Sequence, residues 1–373
     1  MSSIPVPAPP YGRSPLRTVQ VLGGCSGAGV GAGAGSSAHV RSLAGGLAAR
    51  GVRVTVCAPV AAEGEYDFTG AGARFQPAAV NALRVACAGA DIVHAHGLQA
   101  GMRAALALRG RRVPLVVTWH AGPVLGPGPL GGLTRLLERR VARAAAVVLG
   151  TSSDQVDLAR LRGARDARLA PVTLPGARSA AGDAGKVRAE LGAVERPLVI
   201  AVGSLVPHRG YSVLLDAARA WLALDPVPLV VIAGEGRLRA ELTRRIELEG
   251  LPVRLLGRRP DVAELLAAAD VAVLPSRWEA RSLLAQEALR AGVALVATAV
   301  GGVPELVGDA GVLVPYGDAA GLSEAVAKLL TDPARRTALA QAGPVQAATW
   351  PTEDDTVAQV LAVYDELMER ARF

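Results

Sequence analysis

Short β-rich apolar runs alternate with stretches of helical periodicity along nearly the whole chain, and few folds accept that pattern. In the first half the runs are RTVQVLG, VRVTVCAP, ADIVHAHG, VPLVVTWH and AAVVLGTS. In the second they are PLVIAVGS, PLVVIAGEG, VRLLG, DVAVLPS, ALVAT and GVLVP. Between them, segments such as HVRSLAGGLAARG and GYSVLLDAARAWLAL repeat apolar residues at helical spacing. Strands alternating with helices predict βαβ units, and hence α/β domains with parallel sheets covered on both faces. A length of 373 residues fits about two of them. The predicted boundary is APVTLPGARSAAGDAGK, residues 170–186, rich in Pro, Gly and Ala without a clear period, with a fresh strand after it. Two doubly wound, Rossmann-like domains follow, 17–175 and 176–350, facing across a cleft at the carboxyl ends of their strands, where such sheets bind ligands. The end of the chain, from 351, reads as an amphipathic helix with Val357, Val360, Leu361, Tyr364 and Leu367 on one stripe.

Composition narrows the classes further. No run approaches the roughly 20 apolar residues that span a bilayer. Residues 1–16 open MSSIPVPAPPYGRSP, which has no charged start followed by an apolar segment; it reads as a disordered tail and not a signal peptide. Cys25, Cys57 and Cys87 lack metal-ligand spacing, which suits reduced thiols in a cytoplasmic protein. The net charge of +7 comes almost wholly from Arg, with Lys only at 186 and 328. Together with abundant Ala, Gly and Pro, this resembles the product of a GC-rich bacterial genome. Aromatics are scarce and the Arg residues scattered, so a nucleic-acid partner is not expected; a basic face for phosphate or anionic lipid is left open.

The glycine tract LGGCSGAGVGAGAGSSAHV, residues 22–40, lies between a strand and a helix. GAGVGA within it approximates a dinucleotide fingerprint, but that reading needs an acid ending the second strand. The strand ends VTVCAP and the next acid is Glu63, so a nicotinamide cofactor is not expected. The tract is either a loop whose amides face a phosphate or a plain mobile loop. His94 and His96, two apart on a strand, share one face. A metal site there would need further histidines on later strands of one barrel, and the second half has only His208; a hydrogen-bonded core role is the simpler expectation. His120 stands where VVTWH leaves its strand for a Gly/Pro loop, a position aimed into the cleft. No Asp-x-Asp pattern occurs.

SRWEARSLLAQEALRAG, residues 276–292, sets two carboxylates among apolar runs. Burying a carboxylate costs several kcal/mol unless it is met. Eight residues on one continuous helix would turn Glu287 about 80° away from Glu279. A helix starting near Ser282 instead leaves Glu279 on the entering loop and Glu287 in the first turns. Both then face a ligand lying over the free amides of Ser282, Leu283 and Leu284. A sugar diphosphate has hydroxyls for the carboxylates and phosphates for the amides.

This E-x7-E arrangement, followed by ALRAGVALVATAVGGVPELV, resembles the signature of the retaining glycosyltransferases of family 4. The resemblance extends through GSSAHVRSLAGGLAARGVRVTVCAP, DIVHAHG, VVTWH, AGEGRLRAEL and LLGRRPDVAELLAAADVAVLPSRWE, in order, from about residue 17. It implies the GT-B fold, with an N-terminal acceptor domain, a C-terminal nucleotide-sugar donor domain, and a last helix crossing back to brace the first. It implies that Glu279 holds hydroxyls of the donor sugar and Glu287 the ribose, and that His120 bonds the transferred sugar. Gly35 would let the first loop approach the diphosphate, and the backbone from Gly257 to Arg259 would read the base. Such enzymes need no metal, because cationic side chains neutralise the leaving diphosphate.

The chain departs from the family at that cation pair. In VGSLVPHRGY, after Gly203, Ser204 takes the usual Arg position and Arg209 the usual Lys position. Arg209 can grip a phosphate with two N–H groups, whereas Ser204 has only a neutral hydroxyl. The loss would cost roughly 2–4 kcal/mol of transition-state stabilisation unless His208 or another Arg compensates. EARS also replaces the common E-P-F-G. The leading expectation is a retaining transferase with a nucleoside-diphosphate-sugar donor; the alternative is a nucleotide-sugar-binding protein of little activity. After His120, GPVLGPGPLGGLTRLLERRVARAAA carries Arg135, Arg139, Arg140 and Arg143. That helix is either an ordinary solvated face or a peripheral contact with anionic membrane at the inner face of the plasma membrane.

Overall fold

The computed structural model describes residues 15–23, 34–120, 129–172 and 183–371. Most of the glycine tract, the loop that follows His120, most of the Pro/Gly boundary and the tail up to residue 14 lie outside the described residues.

The first sheet contains β1 (Arg17–Leu22), β2 (Arg53–Ala58), β3 (Arg74–Pro77), β4 (Ile92–His96), β5 (Leu115–Trp119), β6 (Val147–Gly150) and β7 (Ala167–Leu169). The second contains β8 (Leu198–Val202), β9 (Leu229–Ala233), β10 (Val253–Gly257), β11 (Val271–Leu274), β12 (Ala294–Thr298) and β13 (Val312–Val314). Their orders are β3-β2-β1-β4-β5-β6-β7 and β10-β9-β8-β11-β12-β13, every pair parallel. Chain order therefore reverses between β1 and β4 and between β8 and β11. At these points consecutive crossovers leave in opposite directions and open a crevice.

The central strands are buried on both faces, and most are almost continuously apolar, as in LVVTW and VAVL, whereas β4, IVHAH, buries two histidines. Helices pack on each face of each sheet, giving four apolar clusters. The amphipathic helix Glu353–Arg370 opens with a capping box from Thr352 and Asp355. It drives Val357, Val360, Val363, Tyr364 and Leu367 into the cluster of the first sheet, beside Leu43, Leu47 and Phe68. Each such burial is worth about 1.5–3 kcal/mol. The chain end is thus packed on the domain that the chain begins with. Leu361 is only half-buried and Val363 takes its place on the inner stripe.

Eleven of the thirteen strands coincide with the predicted runs. The two others, RFQP and ARL, are edge strands of four and three residues with no fully buried position. Little apolar patterning marks them because little of them is buried. The expected fresh strand after the boundary is also corrected. Helix Ala184–Leu191 comes first, its Gly185 amide bonded to Asp183 at 2.8 Å, and β8 begins only at Leu198.

Candidate active site

The first half of the site is built at the β1/β4 reversal. Parallel register sets Gln20 opposite His94 and Leu22 opposite His96. His94 and His96 point to one face, their rings stacked with centroids 4.3 Å apart. His39, from helix Ala34–Ala49, comes within 5.6 Å of the His96 ring and 5.7 Å of His120. His120 follows β5 directly, half-buried, with Nε2 at 3.4 Å from Nδ1 of His96.

Hydrogen bonds tie this floor together. His96 Nε2 lies 2.9 Å from Gln20 Oε1, and Gln20 Nε2 donates to the Tyr364 hydroxyl at 3.0 Å. That hydroxyl is 2.7 Å from His94 Nδ1, and His94 Nε2 is 2.7 Å from Thr118 Oγ1. Burial pushes His39 down to about 4 and His94 to about 3, with His39 adding to the shift at His94. His96 and His120 lie well below the ordinary range, first through burial and then through neighbouring rings. The four imidazoles are neutral at ordinary pH. Among the described residues no group of three His, Cys, Asp or Glu side chains is placed to hold a metal ion.

The second half is built at the β8/β11 reversal. After β8, Gly203 and the exposed Ser204 lead into a 3-10 turn, Pro207–Arg209, closed by Gly210 at φ +69°. A Cβ there would lie 1.9 Å from the carbonyl oxygen of Pro275, so only glycine lets this loop lie against the end of β11. The Arg277 amide donates to the carbonyl of His208 at 2.8 Å and joins the same two segments. Arg209 Nη1 then pairs with Glu279 Oε1, which also accepts from Ser276 Oγ at 2.8 Å. Arg209 Nε is buried without a partner among the described residues. Burial lowers the His208 pKa, and the positive charges of Arg209 and Arg237 lower it further.

Glu279 sits on the loop and Glu287 on the helix Leu283–Arg290, whose N-cap is Ser282. The Ser282 hydroxyl accepts from the Ala285 amide at 3.3 Å. The amides of Leu283 and Leu284 fall in the first turn, where the helix supplies no carbonyl for them. The Glu287 carboxylate makes no hydrogen bond or ion pair among the described residues, and burial raises its pKa, partly opposed by Arg290. The two carboxylates are therefore met differently, Glu279 by Arg209 and Ser276, and Glu287 only by the field of Arg290.

Gly257 closes β10 at φ +76°, its carbonyl already accepting from the Gly234 amide at 2.8 Å. The Arg259 side chain is tied to Asp261. Gly35 lies in the first turn of helix Ala34–Ala49. Among the described residues no hydrogen bond or ion pair links His120 to Arg209, Glu279 or Glu287. The halves touch elsewhere. Trp278 Nε1 donates to Asp154 at 2.9 Å, the Ser153 amide to Glu305 at 3.1 Å, and Arg281 Nε to the Val172 carbonyl at 3.0 Å.

Gln20, Ser276 and the pair Gly301–Gly302 were not singled out from the sequence; His39 stood only within the family-like segment GSSAHV, and Tyr364 only on the apolar stripe of the last helix. Gly301, at φ +53°, lies where a Cβ would meet the Glu279 carbonyl oxygen at 2.1 Å, and the Gly302 amide donates to that oxygen at 2.9 Å. The signal for them was the GG directly after the ALVATAV run. For Gln20 it was an amide set between the two valines of RTVQVL.

Comparison with known proteins places the two halves. Residues 184–346 match the family model for glycosyl transferases group 1, and residues 34–175 the model for the glycosyl transferase 4-like domain. D-inositol 3-phosphate glycosyltransferase 1 of Catenulispora acidiphila is 33% identical over 313 residues, 76% of this chain and 73% of that protein. A GDP-mannose-dependent monoacylated alpha-(1-6)-phosphatidylinositol monomannoside mannosyltransferase of Corynebacterium glutamicum is 36% identical over 172 residues, 43% of this chain and 45% of that protein. In fold, Anabaena Alr3699/HepE solved in complex with UDP superposes with a TM-score of 0.78 at 20% identity, over 94% of this chain and 100% of that one. The chain belongs to the group 1, 4-like family of glycosyl transferases and is a glycosyltransferase with the GT-B fold.

Proposed function

We propose that the enzyme transfers a sugar from a nucleoside-diphosphate sugar to an acceptor with retention at the anomeric carbon. The observation that carries this is the half-buried Glu287, its carboxylate unpaired one turn along the helix from the first-turn amides of Leu283 and Leu284, together with an Arg209 whose Nε is buried and unspent. An unmet carboxylate takes ribose hydroxyls, and unmet N–H groups take phosphate oxygens. In this reading Glu279 holds hydroxyls of the sugar, and Arg209, with Gly203 and Ser204 beside it, holds the diphosphate. Gly35 lets the opposite loop approach, the backbone at Gly257 to Arg259 faces the base, and His120 bonds the transferred sugar. The bond between anomeric carbon and diphosphate oxygen breaks as the acceptor oxygen arrives on the same face and gives its proton to that leaving oxygen. Arg209 and the helix-terminal amides stabilise the leaving charge, so no metal ion is called for.

The relatives' names point to an acceptor of the phosphorylated inositol class, free or in a lipid. Helix Pro129–Ala144 favours the lipid form and a site of action at the inner face of the plasma membrane. Arg135, Arg139, Arg140 and Arg143 are exposed on it, with Leu133 and Leu136 exposed among them. Among the described residues no helix is long and apolar enough to cross a membrane, so this contact is peripheral. At low salt the protein should sediment with anionic but not with neutral vesicles; equal behaviour with both excludes it.

Calorimetric titration with a panel of UDP-, GDP- and ADP-sugars tests the donor site. The wild type should bind one nucleotide class, and Glu287→Ala should bind that donor about 10–100-fold more weakly, the value of one charge-assisted hydrogen bond. A folded wild type that binds none of them removes the proposal.

A further inference from the structure

The floor beneath His120 is one hydrogen-bonded chain with a direction. It runs Thr118, His94, Tyr364, Gln20, His96, His120, with successive separations of 2.7, 2.7, 3.0, 2.9 and 3.4 Å. A neutral imidazole has one N–H and one lone pair, whereas an amide has an end that only accepts and an end that only donates. Gln20 turns its Oε1 to His96, so His96 carries its proton on Nε2 and leaves Nδ1 as a lone pair. His120 must then donate from Nε2, and its Nδ1 becomes the acceptor. On the other side the Tyr364 hydroxyl accepts from Gln20 and donates to His94 Nδ1, and His94 donates from Nε2 to Thr118. Burial keeps all three rings uncharged, so neither end can escape the alternation by taking a second proton.

We infer that Gln20, His96 and Tyr364 are positioning residues that hold His120 in the Nε2–H tautomer, so that its Nδ1 receives a hydroxyl proton of the bound sugar. This rests on the proposed placement of His120 against the transferred sugar. The opposite tautomer would reverse the bond, its N–H donating to a sugar hydroxyl oxygen and leaving that hydroxyl's proton to find another acceptor, and it requires the Gln20 amide to turn over and every proton in the chain to move. The device explains why a chain so poor in aromatics buries Tyr364 at the crevice floor. The terminal helix thereby reaches the chemistry as well as the core, through a bond 344 residues long in sequence.

The test reads the tautomer directly, by long-range proton–nitrogen correlation on the full chain labelled with 15N-histidine and without substrate. The wild type should show His120 neutral with its proton on Nε2 alone. Tyr364→Phe removes one oxygen, and Gln20→Met removes the amide at constant length. In whichever of them folds, His120 should become a mixture of tautomers, with kcat down about tenfold and the donor KM within about twofold, the loss of one hydrogen bond made at the transition state. A wild-type His120 protonated on Nδ1, an unchanged tautomer in the folded variants, or a mixed tautomer with unaltered kcat would each overturn the inference. Should the tautomers shift as expected in a protein that transfers no sugar, the wiring stands and the proposed placement of His120 fails.

Discussion

The crevice has two faces, and they hold their polar groups in opposite ways. Under the first sheet's carboxyl edge, three imidazoles, a glutamine and a tyrosine are buried with a fourth imidazole, His120, half-buried above them, and the hydrogen-bonded ones satisfy one another within the chain. At the second sheet's edge the groups are charged and only partly met: Glu279 is paired, whereas Glu287 and the Arg209 Nε are not. A satisfied neutral network costs little to bury and fixes one geometry. Unmet charge is costly to bury and is relieved by a ligand of opposite character. On the proposed reading the first face is a preformed template, and binding energy would be concentrated on the second.

Acid should break this symmetry with the largest effect. His39 has a folded pKa of about 4 and His94 of about 3, and burial holds His96 well below its ordinary range, against about 6.5 for each when unfolded. Below 6.5 the unfolded chain binds more protons than the folded one. Stability is therefore complete near pH 7 and falls as pH drops through 6.5 toward 4. At pH 5 the His39 and His94 rings cost about 2 kcal/mol each, about 4 kcal/mol together, a large part of the stability of a typical domain, and His96 acts in the same direction. Glu287 works the other way, because its raised pKa makes protonation favour the folded state. Hydrogen exchange at pH 5 should accordingly show the β1/β4 region opening well before β8 and β11. Equal loss over both sheets, or none, would mean that the histidines are hydrated and charged more easily than their burial implies.

Why some of this could be read from the amino acids and some not follows from sequence distance. The strands with buried faces announced themselves, because burial on both sides demands continuous apolar runs; RFQP and ARL, at the edges, were under no such demand. The start of helix Leu283–Arg290 was readable because a serine cap and an E-x7-E spacing are local. Pairings across the fold were not. Nothing near Arg209 indicates that it meets a carboxylate 70 residues on, and nothing near Gln20 indicates Tyr364. His94 and His96 were seen to share a face, but the partners that make them a directed chain come from β1, β5 and the last helix. Parallel sheets assemble sites from such remote segments, so the residue types are visible in the sequence and their wiring is not.

The smallest expected effect concerns the departure at Ser204, and it bears on whether the charged face is complete. Were Ser204 an uncompensated loss, the diphosphate would lack one cation, and Ser204→Arg would raise kcat by about 10²–10³-fold. The surroundings argue otherwise. Ser204 is exposed, so an added guanidinium would reach the phosphate through solvent-accessible space and be screened there. Arg237, just after β9, makes no ion pair among the described residues. It already lies close enough to His208 to lower its pKa together with Arg209. Two guanidinium groups thus bias the same loop without the one at 204. Ser204→Arg should change kcat by less than about tenfold, measured at saturating donor and acceptor. A hundredfold gain would instead mean that Arg237 serves the loop and not the phosphate, and that the natural enzyme binds its donor better than it turns it over.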